Sequence, residues 1–413
     1  MVGRGQFLFV CLFELVSAQA NAGEPAPPSD PNIQDVTWPE LVRLVDAHPR
    51  VAASTARMVA ARGGVKAAAA VPNPTLDARL GHGSPWGAGD GRVEWGLSLN
   101  MPLGWLAQRG PRVESAEAGI AAADAEAQAL RRDVLLRLQT LFWNLAFEQA
   151  RVAALEELEG QTRKLVSTVK RKVETGEVRP VEGIRVEIEL EKVAAEVETA
   201  RTLLGSRQSQ LGLWLGRPRV AAKADITVLA PVSHSALNKV RENHPAIAAA
   251  RARVRALQAD LATEERTRIP AFSVVGFASH ELDRKSYGAG LAVDLPVWNW
   301  NSGRIAQAEA TLSASRKEAE AAALDIESNA IEAQAACRAS SATASRLGTA
   351  VVPRAESSAA IMERTYNLGE ASLLDLIDSR RTLLDARRLL LNALAQAQID
   401  CGRLAALTGE DSR

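Results

Sequence analysis

Residues 96–118, GLSLNMPLGWLAQRGPRVESAEA, and residues 290–310, GLAVDLPVWNWNSGRIAQAEA, are two versions of one passage. Each begins as an alternating run, breaks at a proline and a tryptophan, and passes into a long run of alanine and charge. Around the first, RVEWGLSLNM puts Val93, Trp95, Leu97, Leu99 and Met101 on one face and Glu94, Gly96, Ser98 and Asn100 on the other. Around the second, SYGAGLAVDLPV sets Tyr287, Ala289, Leu291, Val293 and Leu295 against Gly288, Gly290, Ala292 and Asp294. Successive strand side chains point to opposite faces, so this period of two predicts strands with one apolar and one wet face. TLDARLGHG from Thr75 and AFSVVGFASH from Ala271 alternate less cleanly and complete two hairpins, with loops near 84–91 and 281–285.

The duplication reaches further. HPRVAASTARMVAA at His48 returns as HPAIAAARARVRA at His244, an offset of 196 (244 − 48). VETGEVRPVEGIRVE around Gly176 returns as YNLGEASLLDLIDSR around Gly369, an offset of 193 (369 − 176), and LWLG ending at Gly216 returns as ALTG ending at Gly409. Four landmarks in one order predict two copies of one unit, residues 36–216 and 232–413, joined by a linker at 217–231.

Each copy predicts a helix of about 20 residues from its His-Pro pair, where proline suits the first turn and histidine the helix start. A strand pair follows, then 63 residues without a strong stop, Arg112 to Glu174 or Arg304 to Tyr366. As a helix that run is about 95 Å long. Tight turns at Gly176 and Gly369 lead into returning helices of about 35 residues. Val186, Leu190, Val193, Val197, Ala200, Leu204, Leu211 and Trp214 keep a seven-residue seam, interrupted at Arg207. Gly160 and Pro353 occupy matching places in the long helices and predict a bend in each. The fold class is therefore mainly α with a small β part. Duplicated antiparallel helical hairpins carry four strands at one end and glycine turns at the other.

Composition excludes several functions. The 49 basic and 49 acidic residues leave none of the excess that nucleic-acid binders carry. There is no phosphate-binding glycine loop with lysine, no CxxC pair and no nucleophile elbow, and the five histidines lack ligand spacing. No enzyme, cofactor or metal site is expected. Arg4, the apolar stretch Phe7 to Phe13 and Ala18-Gln19-Ala20 read as a secretory leader over residues 1–20, followed by a linker over 21–35. No later segment reaches the ~20 apolar residues of a spanning helix.

Four strands leave two open edges, which lipid does not tolerate, so a spanning sheet must close with other chains. Three chains give twelve strands, wide enough for a water-filled lumen. Trp86, Trp95, Trp105, Trp298 and Trp300 lie in or beside the strands, where an aromatic girdle belongs.

From about Val36 to Gly409 the chain resembles the TolC-type outer-membrane efflux duct family. The most specific passages are LPVWNWNSGRIAQAEA and VVPRAESSAAIMERTYNLGEASLLDLIDSRRTLLDAR. Together with PNPTLDARL and MPLGWLAQRGPRVESAEA they look most like its CzcC-like heavy-metal branch. The resemblance implies a homotrimer in the Gram-negative outer membrane, with a twelve-stranded barrel and a helical tunnel through the periplasm. It also implies docking of a periplasmic adaptor at the tip turns, Gly176 and Gly369, and an inner-membrane proton-driven pump of the resistance-nodulation-division class. It places an acidic constriction at Asp375 and Asp378, with Glu182 as the first-copy counterpart. Asp rings select and bind cations. Ser372-x-x-Asp375 is also a capping box, which accounts for Asp375 but not for Asp378. The family's tyrosine–arginine latch keeps its tyrosine in Tyr366, while the arginine position is Ala371; Arg179 is a candidate substitute.

Cys337 and Cys401 each lie 32 residues from Gly369 (369 − 337 and 401 − 369), so an antiparallel hairpin makes them neighbours. The periplasm permits a disulfide. Helix axes about 8–10 Å apart, set against a Cα limit of about 7 Å, favour packed free thiols instead. Three other readings remain open: the duct of a type I secretion exporter, a periplasmic adaptor, and a coiled-coil stalk.

Overall fold

The computed structural model describes residues 33–84, 91–226, 240–282 and 284–409. The leader over 1–20, Trp86 and most of the 21–35 linker lie outside them. The first copy runs β1 (Ile33–Val36), α1 (Trp38–Leu44), α2 (Pro49–Ala69), β2 (Thr75–Gly83), β3 (Arg92–Pro102), α3 (Trp105–Glu174) and α4 (Pro180–Trp214). The second runs β4 (Arg219–Ala222), α5 (Val240–Asn243), α6 (Pro245–Arg266), β5 (Ala271–Glu281), β6 (Arg284–Asp294), α7 (Ser302–Arg346), α8 (Val352–Asn367) and α9 (Leu373–Thr408).

α2 and α6 begin at the His-Pro pairs. The ring nitrogens of His48 and His244 accept from the backbone N–H of Arg50 and Ala246, both at 3.3 Å. An exposed N–H of the first turn is satisfied in each case. The seam of α4 is buried at Val186, Val193, Val197, Ala200 and Leu211. The largest core lies midway along α3, where Leu138, Phe142 and Leu145 meet Val36 and Leu41 from the N-terminal segment and Leu211 and Val220 from the end of the first copy.

Four sequence expectations need correction. Both segments read as linkers hold short strands: β1 and β4 pair in parallel, with Val36 opposite Ala222, and Val36 and Val220 are fully buried. Four residues are too few to display a period.

α3 starts seven residues before Arg112 (112 − 105) and passes through Pro111. A proline leaves the carbonyl four residues back without its helical donor. Here that carbonyl, of Ala107, accepts from Arg266 of α6 at 2.9 Å.

The paired bends do not appear alike. α3 is continuous across Gly160, whereas the second long helix changes to a π turn at Leu347–Val351, immediately before Pro353. Glycine only weakens a helix, while proline removes a donor and crowds the preceding turn.

Finally, Cys337 and Cys401 are bonded, with Cα atoms 4.6 Å apart. Axis separation is not Cα separation. Cα atoms sit about 2.3 Å off each axis, so facing residues on axes about 8–10 Å apart come within about 3.4–5.4 Å. Ala333, one turn before Cys337, keeps the α7 side of the contact with α9 small.

Candidate functional site

Two regions carry the chemistry: the helix tips and the sheet. At the tips both turns close identically. Gly176 donates to the Val173 carbonyl and Glu177 to Lys172, while Gly369 donates to Tyr366 and Glu370 to Thr365. Gly176 and Gly369 have φ of 77° and 79°, a left-handed conformation that a side chain would strain. One apolar cluster joins the two tips: Leu165, Val166 and Val169 of α3, Val186 of α4, Tyr366 of α8, and Leu373 and Leu376 of α9.

α9 starts on a reciprocal cap. The Ser372 hydroxyl accepts from the Asp375 N–H, and the Asp375 carboxylate accepts from the Ser372 N–H, each at 3.2 Å. Leu373, Leu376 and Ser379 point inward, so Asp375 and Asp378 both face out. Capping accounts for Asp375. Asp378 makes no hydrogen bond or ion pair with any described residue. Glu182, the first-copy counterpart of Asp375 (375 − 193), is paired with Arg185 at 3.3 Å and Arg179 at 3.8 Å, and Arg185 itself stands where the second copy has Asp378 (378 − 193). Of these equivalent positions, the carboxylate with neither a cap nor an ion pair is Asp378, in the second copy.

Tyr366 is buried, and that burial, reinforced by the Glu182 carboxylate and opposed by Arg380, raises its phenol above the ordinary value. The cation over its ring is Lys172, 5.4 Å from the centre, while Arg179 is engaged with Glu182. Arginines of α9 strap the second copy to the first: Arg381 to Glu189, Arg387 to Glu157 at 3.4 Å, and Arg380 to the Gln161 carbonyl at 3.4 Å. Sequence reasoning missed Lys172 and these straps, because partners about 190–230 residues apart share no helical period.

The sheet is four-stranded and antiparallel in the order β2-β3-β5-β6, with β2 and β6 as open edges among the described residues. Directly paired residues share a face, so the register sorts every side chain. One face carries Leu76, Leu80, Trp95, Leu97, Leu99, Val274, Tyr287 and Leu291; the other carries Asp77, Arg79, Glu94, Ser98, Asn100, Ser279 and Asp294. The expected split thus continues across all four strands. Along β3 the polar-face residues Glu94, Gly96, Ser98 and Asn100 are half-buried and most apolar-face residues exposed, so the sheet curves around its polar side. A concavity lies there, lined by Asp77, Arg79, Glu94, Ser98 and Ser286. Phe277 is an exception on that side, and Gly288 opposite leaves room for its ring, since a Cβ there would lie 2.8 Å from it. Trp95, Trp298 and Trp300 are exposed, whereas Trp105 is half-buried and its indole N–H has no partner.

Among the described residues no helix is long and apolar enough to cross a membrane, and no cluster of His, Cys, Asp or Glu is arranged to hold a metal ion. The sequence profile of the family described as outer membrane efflux protein matches residues 41–217 and 236–410, more than half of the chain. The cobalt-zinc-cadmium resistance protein CzcC of Cupriavidus metallidurans is 26% identical over 355 residues, 84% of this chain and 83% of the relative. The outer-membrane channel OprN superposes with a TM-score of 0.76 at 18% identity, covering 90% of each chain. CusC, described as undergoing conformational changes during folding and transmembrane channel formation, gives 0.77 at 16% identity, covering 90% of this chain and 91% of its own.

Proposed function

The chain belongs to the outer membrane efflux protein family, and from that premise we propose that three copies form one duct through the outer membrane and periplasm. It is an efflux protein, not an enzyme. The observation that carries the trimer is the two-faced sheet with both edges open. In lipid those edges must be paired, and three sheets of four strands supply the twelve that enclose a watery lumen. From the row Leu80–Trp95–His280–Lys285 to the pair Phe272–Val293, the apolar face runs 8 residues along β5 (280 − 272). That is about 27 Å of strand, or about 21 Å of height at a tilt of 40°, close to the ~25 Å apolar band of such barrels.

The helices extend from the sheet into the periplasm and end at the tips. There a periplasmic adaptor docks around the Gly176 and Gly369 turns and links the duct to a resistance-nodulation-division pump. The name of the curated relative supports divalent metal cations as cargo. Asp375 and Asp378 from three chains form the gate at the periplasmic mouth, where crowded carboxylates attract and delay cations. Tyr366, Lys172 and the α9 arginine straps hold the tips in register.

Planar-bilayer conductance of Asp375→Ala/Asp378→Ala tests this reading. Cation selectivity and block by divalent cations both fall, and the Asp378 change alone accounts for most of the loss. Unchanged conductance together with unchanged block removes the gate.

A further inference from the structure

We propose that the loop-end rim of the apolar face binds the phosphate of an outer-leaflet glycolipid headgroup, an inference that rests on the barrel reading above. The sorting of charge on the sheet carries it. The polar face holds both signs along its height: Asp77, Arg79, Glu94, Glu281, Arg284 and Asp294. Apart from the phenol of Tyr287, the ionisable residues of the apolar face within the strands are His82, His280 and Lys285, all bases. All three fall in the two rows nearest the hairpin loops, and no carboxylate lies on the apolar face of those strands.

Their surroundings favour an anion from outside the chain. His280 and Lys285 are direct cross-strand partners, and Trp95 follows in the same row, its ring centre 6.4 Å from that of His280. Nδ1 of His280 is buried and has no hydrogen-bond partner. Lys285 is exposed and makes no ion pair with any described residue. One row below, Leu97 and Tyr287 are exposed apolar surface. A lysine above such a surface lays its stem on lipid and lifts its ammonium to the headgroup level. A phosphate there supplies acceptor oxygens to the ammonium and imidazoles in charge-assisted bonds. The helix-side border of the sheet is built instead around Trp298 and Trp300. The two rims thus suit different leaflets.

The test reconstitutes the mature assembly in vesicles containing either a diphosphorylated glycolipid or the same lipid with its phosphates removed. Retained glycolipid is counted by native mass spectrometry, and channel conductance is recorded in parallel. The wild type retains the phosphorylated form about tenfold better, the scale of one charge-assisted hydrogen bond. His280→Ala/Lys285→Ala lowers retention to the dephosphorylated level with conductance unchanged, and adding His82→Ala lowers it no less. Equal retention by wild type and variant overturns the proposal. So does displacement of the lipid by millimolar inorganic phosphate, which would mark a site for free phosphate. A wild type that neither inserts nor conducts sinks the barrel reading, and the conductance record separates that result from the others.

Discussion

The two long helices began as the same element and now differ in how each deals with a proline. α3 passes through Pro111 because Arg266 of α6 takes the carbonyl the proline orphaned. At Pro353 the second copy converts the preceding turn to π geometry, and α8 restarts beyond it. The second copy is also the one that is stapled, by the disulfide between α7 and α9. In the first copy the equivalent positions are Asn144 (337 − 193) and Gln208 (401 − 193). A proline's cost in a helix is therefore set by what neighbours can donate, and duplicated sequence does not guarantee duplicated mechanics. The first copy is a continuous rod; the second is pinned about midway between sheet and tip and jointed on the tip side of that pin.

The sharpest way to break this contrast is to remove the staple. Cys337→Ala/Cys401→Ala lifts a constraint between residues 64 apart and costs about 4 kcal/mol, nearly all through the unfolded chain. Chaotrope unfolding with and without reductant measures it, and wild type and variant converge once reduced. Thiol labelling of the unreduced, denatured mature protein finds no free cysteine.

Next in size is Gly160→Pro, which places a proline at the matching point of the first copy. Nothing lies within 4 Å of a Cβ at Gly160, so the loss is the helical hydrogen bond and the ring clash, about 3 kcal/mol. Thermal unfolding reads the cost, and hydrogen exchange shows whether a new π turn forms before position 160.

The smallest change tests the tip. Ser372→Ala removes one half of the cap on α9 and costs about 1 kcal/mol, seen as faster amide exchange over the first turn of α9. Because the equivalent start of α4 has no side-chain cap, the same measurement on that helix is unaffected.

Much of this was legible in the residues because the signals repeat. The strand pairs, the His-Pro helix starts and the glycine turns each occur twice, and Asp378 stood out because the cap at Asp375 cannot reach it. What stayed hidden was short or distant. β1 and β4 are four residues each. Lys172 under Tyr366 and the Arg381–Glu189 strap join separate elements, so no local spacing announces them. The cysteine pair was located by counting from Gly369. Its bond is hidden from such a count, because the spacing of helix axes overstates the gap between the facing surfaces of the helices.

Cys337 and Cys401 are both buried in the finished molecule. An oxidant must therefore reach them while α7 and α9 are still apart, and a reductant in the surrounding water meets neither sulfur afterwards. The bond acts as a one-way commitment made during biogenesis. A chain that docks these helices before oxidation seals two thiols inside, and the cell has no easy route to correct it.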